Sequence, residues 1–273
     1  MSTPIVSVNI MGGLGNQLFQ IAAAYAYARQ MNGQLQIIHK RDNGNRPVYW
    51  DTVLHRIQPY LVEAIPSWLT VWNEPQATEY REIGPLPANG MYLTGYLQSS
   101  KYYPTTMIKD EIKRLFRPTT ELIASVNDKY AYLIHNKERV VVIHARRTDY
   151  ITFRDFHGPL EGSYYKEAVK RIISRVEQPI FVLCGDDVSF WNDIRNDIPA
   201  VFENDHVILE NETDIRTFTL LQQFHHFIMS NSTFIWWCVW LADAKNTIVP
   251  AKWFGPTGPK EYEDIYEDGW ERI

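Results

Sequence analysis

The chain has 273 residues, 45% of them hydrophobic and 22% charged, which is enough apolar content for one large α/β domain or two smaller ones. Its net charge of -5 disfavours non-specific nucleic-acid binding. Cys184 and Cys238 lie in apolar stretches without zinc-type spacing, so both are expected to be buried, reduced thiols.

The opening MSTPIVSVNIM lacks the basic and long apolar regions of a signal peptide. The longest apolar run, residues 234–242, is too short to span a bilayer, so a cytoplasmic location is expected. The 9 Trp and 16 Tyr fit either an aromatic-rich core or rings that stack on sugars.

Residues 5–10 read as a strand, followed by the glycine turn at 11–15, a helix at 16–31 and a strand at 35–38. Residues 41–110 are rich in turn formers, with one extended piece at 91–97. Short helices follow at 110–116 and 120–136. From there strands and helices alternate. Strands are expected at 140–143, 179–184, 207–209, 227–229 and 247–249; helices at 164–176, 189–196, 215–223 and 233–242. The alternation implies parallel sheets, with a domain boundary near residue 137. The acidic, aromatic tail from Lys260 either packs back or frays.

The string HARRTDY, residues 144–150, directly follows the β-branched run at 140–143. Ligands in α/β folds bind at the carboxyl ends of such strands. Guanidinium groups fit phosphate oxygens as a fork, so Arg146 and Arg147 point to a diphosphate ligand. The alternative is a solvated strand end in which Asp149 merely pairs with an arginine. His144 contacts a base or sugar, or is a satisfied core histidine.

The glycine turn resembles a dinucleotide loop, but Leu18 stands where the third glycine belongs, and the second strand ends in Ile38-His39-Lys40 without an acid. A nicotinamide cofactor is therefore disfavoured. Gly13 and Gly15 still let backbone N–H groups approach a ligand. Asn16 and Gln17 offer amides, or Asn16 simply caps the helix. Ser230-Asn231-Ser232-Thr233 precedes a helix whose N-terminus attracts anions, and the same side chains are good caps. Trp236, Trp237 and Trp240 read first as core and second as sugar-stacking groups. Asp186 and Asp187 suggest a metal pair, but no two aspartates have D-x-D spacing, and a loop of solvated acids is the simpler reading. Asp155, His157 and Glu161 follow the arginine strand closely and are the nearest candidates for a general base.

Together these strings resemble the α-1,2-fucosyltransferase family. GGLGNQLFQ, GYLQSSKYY, HARRTDY, His157-Gly158 with Tyr164-Tyr165, SNSTFIWWCVWLA and IVPAKWF are similar to its motifs, in order, over nearly the whole chain. The resemblance implies an α/β fold of the GT-B type, with two facing Rossmann-like domains. Residues 1–137 would be the acceptor-side domain and 138–273 the GDP-fucose-binding domain. It implies inverting transfer of L-fucose from GDP-β-L-fucose to a glycan hydroxyl, most simply α-1,2 on galactose, with no metal or other cofactor. By resemblance Arg146 binds the β-phosphate, His144 lies near the nucleotide, and Arg147 and Asp149 brace the loop. Ser232 and Thr233 add phosphate donors, and Asn16 with Gly13 and Gly15 faces the reacting centre. Asn231 and Asp214 complete the donor-binding set. Arg146, Asp149 and Asp155 form the catalytic set, and His157 and Glu161 the acceptor set. The family's acidic position upstream of its A-N-S motif holds Thr217 here, and the segment from Asp149 to His157 is short.

Overall fold

The computed structural model describes residues 3–42, 44 and 46–273. The chain forms two compact units. The first holds the described residues up to Thr119 together with Glu261–Glu267, and the second holds Thr120–Lys260 and Asp268–Ile273.

In the first unit, strand β1 (Ile5–Val8) leads through the glycine turn into helix α1 (Leu14–Gln30). The helix starts earlier than the sequence suggests, so Gly13 is its N-cap and Asn16 lies inside its first turn. α1 is Ala-rich and almost wholly buried. Asn32 ends it at φ 52, and Gly33 N–H reaches back to Ala28 O at 2.8 Å, a left-handed C-terminal closure. The strand expected at 35–38 is split into β2 (Gln34–Leu35), which pairs with β1, and β3 (Ile37–Ile38), which has a different partner. β3 pairs with β4 (Leu61–Val62). β5 (Thr70–Asn73) was not foreseen. It runs parallel to β6 (Met91–Thr94), and the main sheet has the order β2-β1-β6-β5. Helix α2 (Thr106–Leu115), capped by the Thr105 hydroxyl, completes the unit.

The second unit begins with α3 (Thr120–Lys129) and α4 (Ala131–His135). They belong here, and not before a boundary at 137, because Arg216 bonds to Ser125 Oγ at 2.9 Å and Tyr132 to Asp205 at 2.8 Å. Strand β7 (Val140–Ala145) is buried along its whole length. It is followed by two short helices, α5 (Thr148–Thr152) and α6 (Arg154–His157), and then by α7 (Gly162–Ile172). Next come β8 (Ile180–Gly185), α8 (Ser189–Asp193), α9 (Pro199–Glu203) and β9 (His206–Ile208). The chain continues through α10 (Asp214–Leu221), β10 (His226–Ile228), α11 (Thr233–Leu241), β11 (Asn246–Val249) and β12 (Glu271–Arg272). The sheet is all parallel, in the order β12-β11-β10-β7-β8-β9.

The tail packs in both parts. Asp264 pairs with Lys101 at 2.5 Å in the first unit, and Glu271 pairs with Arg171 at 2.7 Å in the second. Cys184 and Cys238 are free and buried, as expected. Trp236 and Trp237 are fully buried and Trp240 is 7% exposed. With Trp270 they form one cluster of rings, so they are core and offer no face to a sugar. Among the described residues, no helix is long and apolar enough to cross a membrane.

Candidate active site

The second sheet sets the location. From β7 the chain winds through β8 and β9 on one side, then returns to β10 and β11 on the other. The winding reverses between β7 and β10, and loops that diverge from such a point leave a crevice at the strand ends. The HARRTDY string leaves β7 there and the 229–232 segment leaves β10. His144 Nδ1 lies 2.8 Å from Ser230 Oγ, joining the two strand ends. The His144 ring is 5% exposed and lies against Phe234. Burial pushes its pKa down to about 4, with Asp186 acting against the shift and Arg146 adding to it, so the imidazole is neutral near pH 7.

The two arginines diverge. Arg146 Nε donates to Asp149 Oδ1 at 2.9 Å and lies 3.2 Å from Asp186 Oδ2, with a quarter of its side chain exposed. Burial opposes its charge, but the two carboxylates outweigh burial and raise its pKa, so it is a permanent cation. Arg147 turns inward. It donates to Leu160 O at 2.8 Å and its guanidinium lies 4.2 Å from the Phe190 ring centre. A diphosphate grip by both arginines is therefore not what the side chains form: Arg147 braces the loop.

Asp186 was read from the sequence as a solvated acid; in the structure it organises the arginine loop. Its carboxylate accepts Arg147 N–H at 2.7 Å, Thr148 N–H at 3.2 Å and the Thr148 hydroxyl at 2.5 Å. Those two N–H groups open α5, where helix N–H groups otherwise lack partners.

Asn231 is a second brace. Its Nδ2 donates to His157 O at 2.6 Å, Trp253 O at 2.8 Å and Gly158 O at 3.3 Å, so its donors are taken up by loop carbonyls. Tyr150 donates to Asn231 O at 2.9 Å and stacks on His157, with 4.2 Å between ring centres and 5° between planes. Gly158 has φ 63 and packs so closely that a Cβ would stand 3.0 Å from Gly255 N. Gly255 N–H bonds to Phe156 O and Thr257 N–H to Asp155 O, both at 2.8 Å, so the 253–258 segment holds α6. Ile151, Phe153 and Phe156 stay exposed on this arm.

Ser232 is the N-cap residue of α11 by position, but its hydroxyl makes no cap bond; Thr233 is the first residue of that helix. Of the remaining candidates, Asp155 and Glu161 are exposed, and Glu161 stands 4.0 Å from Arg147 and 3.7 Å from Arg154. Asp214 is exposed at the start of α10, which the Thr213 hydroxyl caps.

Gly13, Gly15 and Asn16 lie in the first unit. There Gly12, at φ 76, takes the Asn16 side chain against it, where a Cβ would stand 2.5 Å from Nδ2. Asn16 Oδ1 accepts Gln98 Nε2 at 2.8 Å, and Gln17 donates to Gly12 O and Pro47 O. The sequence assigns no separate role to Tyr150 or Gln98; it marks Ser230 only as part of a capping or anion-attracting segment and Asp186 only as one of a metal pair or of a loop of solvated acids. Gln98 lay within a quoted motif, and Asp186 stood at a strand's carboxyl end; those positions were the available signals.

The sequence pattern of glycosyl transferase family 11 matches residues 3–273. An α-1,2-colitosyltransferase of Escherichia coli is 24% identical over 98% of this chain and 99% of its own length. Galactoside α-(1,2)-fucosyltransferase 2 of Sus scrofa is 27% identical over 93% of this chain and 74% of its own. The solved structure of NodZ α-1,6-fucosyltransferase soaked with GDP-fucose superposes with a TM-score of 0.53 at 14% identity, covering 88% of this chain and 93% of that one. The fold is thus α/β of the GT-B type.

Proposed function

The chain belongs to glycosyl transferase family 11, and from that premise we propose that it transfers L-fucose from GDP-β-L-fucose to a galactose-terminated glycan, forming an α-1,2 linkage with inversion and without a metal. The observation that carries this reading is Arg146. It is a permanent, partly exposed cation at the sheet's switch point, in the same loop cluster as the α11 N-terminus. Relatives named as α-1,2-fucosyl- and α-1,2-colitosyltransferases support the choice of linkage, and the fucosyltransferase relative with the GDP-fucose-soaked neighbour supports the choice of donor.

In this reading the bond from fucose C1 to the β-phosphate oxygen breaks, and its electron pair stays on the diphosphate. Arg146 and the N–H groups at the start of α11 stabilise that growing charge. The acceptor hydroxyl oxygen bonds to C1 from the opposite face, and its proton passes to a base. Asp155 and Glu161 are exposed carboxylates on the same arm and are the candidates for that role. Asp149 instead holds Arg146. His144 stays neutral beside the nucleotide as a hydrogen-bonding group.

The test is incubation with GDP-fucose and lactose in EDTA, with the product linkage read by NMR. An α-1,2-fucosylated product supports the assignment; a different linkage, or a requirement for added metal, contradicts it. A second reading, transfer of colitose, is favoured by one relative's name. A panel of nucleotide-sugars separates the two.

A further inference from the structure

The first unit has a switch point of its own. In the order β2-β1-β6-β5, the chain diverges between β1 and β6, and the glycine turn and the 95–98 turn leave those two strands side by side. Two glutamines tie them together. Gln20 accepts Met11 N–H at 2.9 Å and donates to Gly95 O at 3.2 Å, while Gln98 donates to Asn16 at 2.8 Å. The 95–98 turn is conformationally demanding: Gly95 has φ 142, and Leu97 has φ 55 with a fully buried side chain. A non-glycine residue in the left-handed region costs about 1–2 kcal/mol, so something must hold it.

Glu74 does. It follows β5, and its N–H bonds to Thr94 O at 2.8 Å. Its carboxylate accepts Tyr96 N–H at 2.7 Å and Leu97 N–H at 3.1 Å. Gly95 abuts it so closely that a Cβ would stand 2.3 Å from Glu74 Cβ. We propose that Glu74 is the positioning residue of a saccharide site in the first unit: by accepting these two N–H groups it builds the turn that sets Gln98 on Asn16 at the switch point. The saccharide identity rests on the transferase reading; the latch itself does not.

Burial pushes the Glu74 carboxyl up to about 7, against the lowering effect of the Leu97 and Tyr96 N–H groups. The titratable group facing it is the Tyr102 phenol, raised by its own burial and then by Glu74's charge; Tyr102 accepts Arg81 N–H at 3.3 Å. The Asp264 carboxylate, paired with Lys101, also raises that phenol. Oε2 accepts both N–H groups, at 2.7 and 3.1 Å, and Oε1 adds a second contact to Leu97 N–H at 3.1 Å, so a carboxyl protonated on Oε1 still accepts both. With a raised pKa the folded state holds the proton more tightly than the unfolded chain, so Glu74's contribution is most favourable below 4.5 and declines as pH rises through about 7.

Hydrogen exchange of the intact protein, corrected for intrinsic rates, decides the matter without reference to activity. For the Tyr96 and Leu97 amides the expected result is protection in wild type that falls roughly tenfold in Glu74→Ala, with α1 unchanged. Equal protection in Glu74→Ala and wild type overturns the latch. In parallel, with GDP-fucose and lactose as probes, Glu74→Ala is expected to raise KM for lactose while leaving GDP affinity unchanged. A fall in kcat alone, with KM intact, overturns the positioning role. Absence of transfer by wild type counts against the transferase reading, and the exchange result still decides the latch.

Discussion

His144 Nδ1 and Ser230 Oγ lie 2.8 Å apart, so one side-chain contact joins the ends of β7 and β10 where the sheet reverses its winding. Burying the ring there makes its neutral form part of the fold. With a pKa of about 4 in the folded protein against 6.5 when free, His144 contributes stability that is present above 6.5 and is lost as pH falls toward 4. Urea unfolding near pH 7 and near pH 5 measures it. His144→Gln should remove on the order of 2 kcal/mol of the acid-side loss. The same pH dependence in both proteins would show that His144 does not titrate in this way.

Asp186 shapes the arginine loop through two N–H groups, one hydroxyl and the Arg146 guanidinium. Asp186→Ala leaves both N–H groups without that acceptor and should cost about 1–3 kcal/mol of stability. It should also weaken GDP binding, because Arg146 loses one of the two carboxylates that aim it. Unaltered GDP affinity in a folded Asp186→Ala variant would mean that the loop is set by other contacts.

Asn231 donates to three carbonyls and is 1% exposed. Asn231→Ala should destabilise the second unit by about 2–4 kcal/mol and raise hydrogen exchange in residues 153–158. Faster exchange confined to α11 would place its influence elsewhere.

The alternation of apolar runs with helical spacing made five of the six strands of the second sheet legible, and the β-branched run before HARRTDY marked a central one; β12, two charged residues in the tail, carries no such signature. The strand at 70–73 leaves no apolar signature in the sequence, because Thr70 and Val71 are exposed on an edge strand. The 35–38 segment reads as one strand because its division comes from two different partners, β1 for Leu35 and β4 for Ile37, and not from a local breaker. Arg146 and its charge were readable. Which of two adjacent arginines turns inward was not, since Phe190 and Leu160, which hold Arg147, are distant in sequence. Asp186 and Glu74 act through backbone N–H groups brought together by parallel pairing, and residue type alone carries no trace of that.

The most direct test of the central claim is calorimetric titration of wild type and Arg146→Ala with GDP, UDP and NAD in EDTA. The account predicts that wild type binds GDP selectively and that a folded Arg146→Ala variant binds it about a hundredfold more weakly, the scale of one charge-assisted phosphate contact. Equal GDP affinity in the two proteins, or preference for UDP, would contradict it.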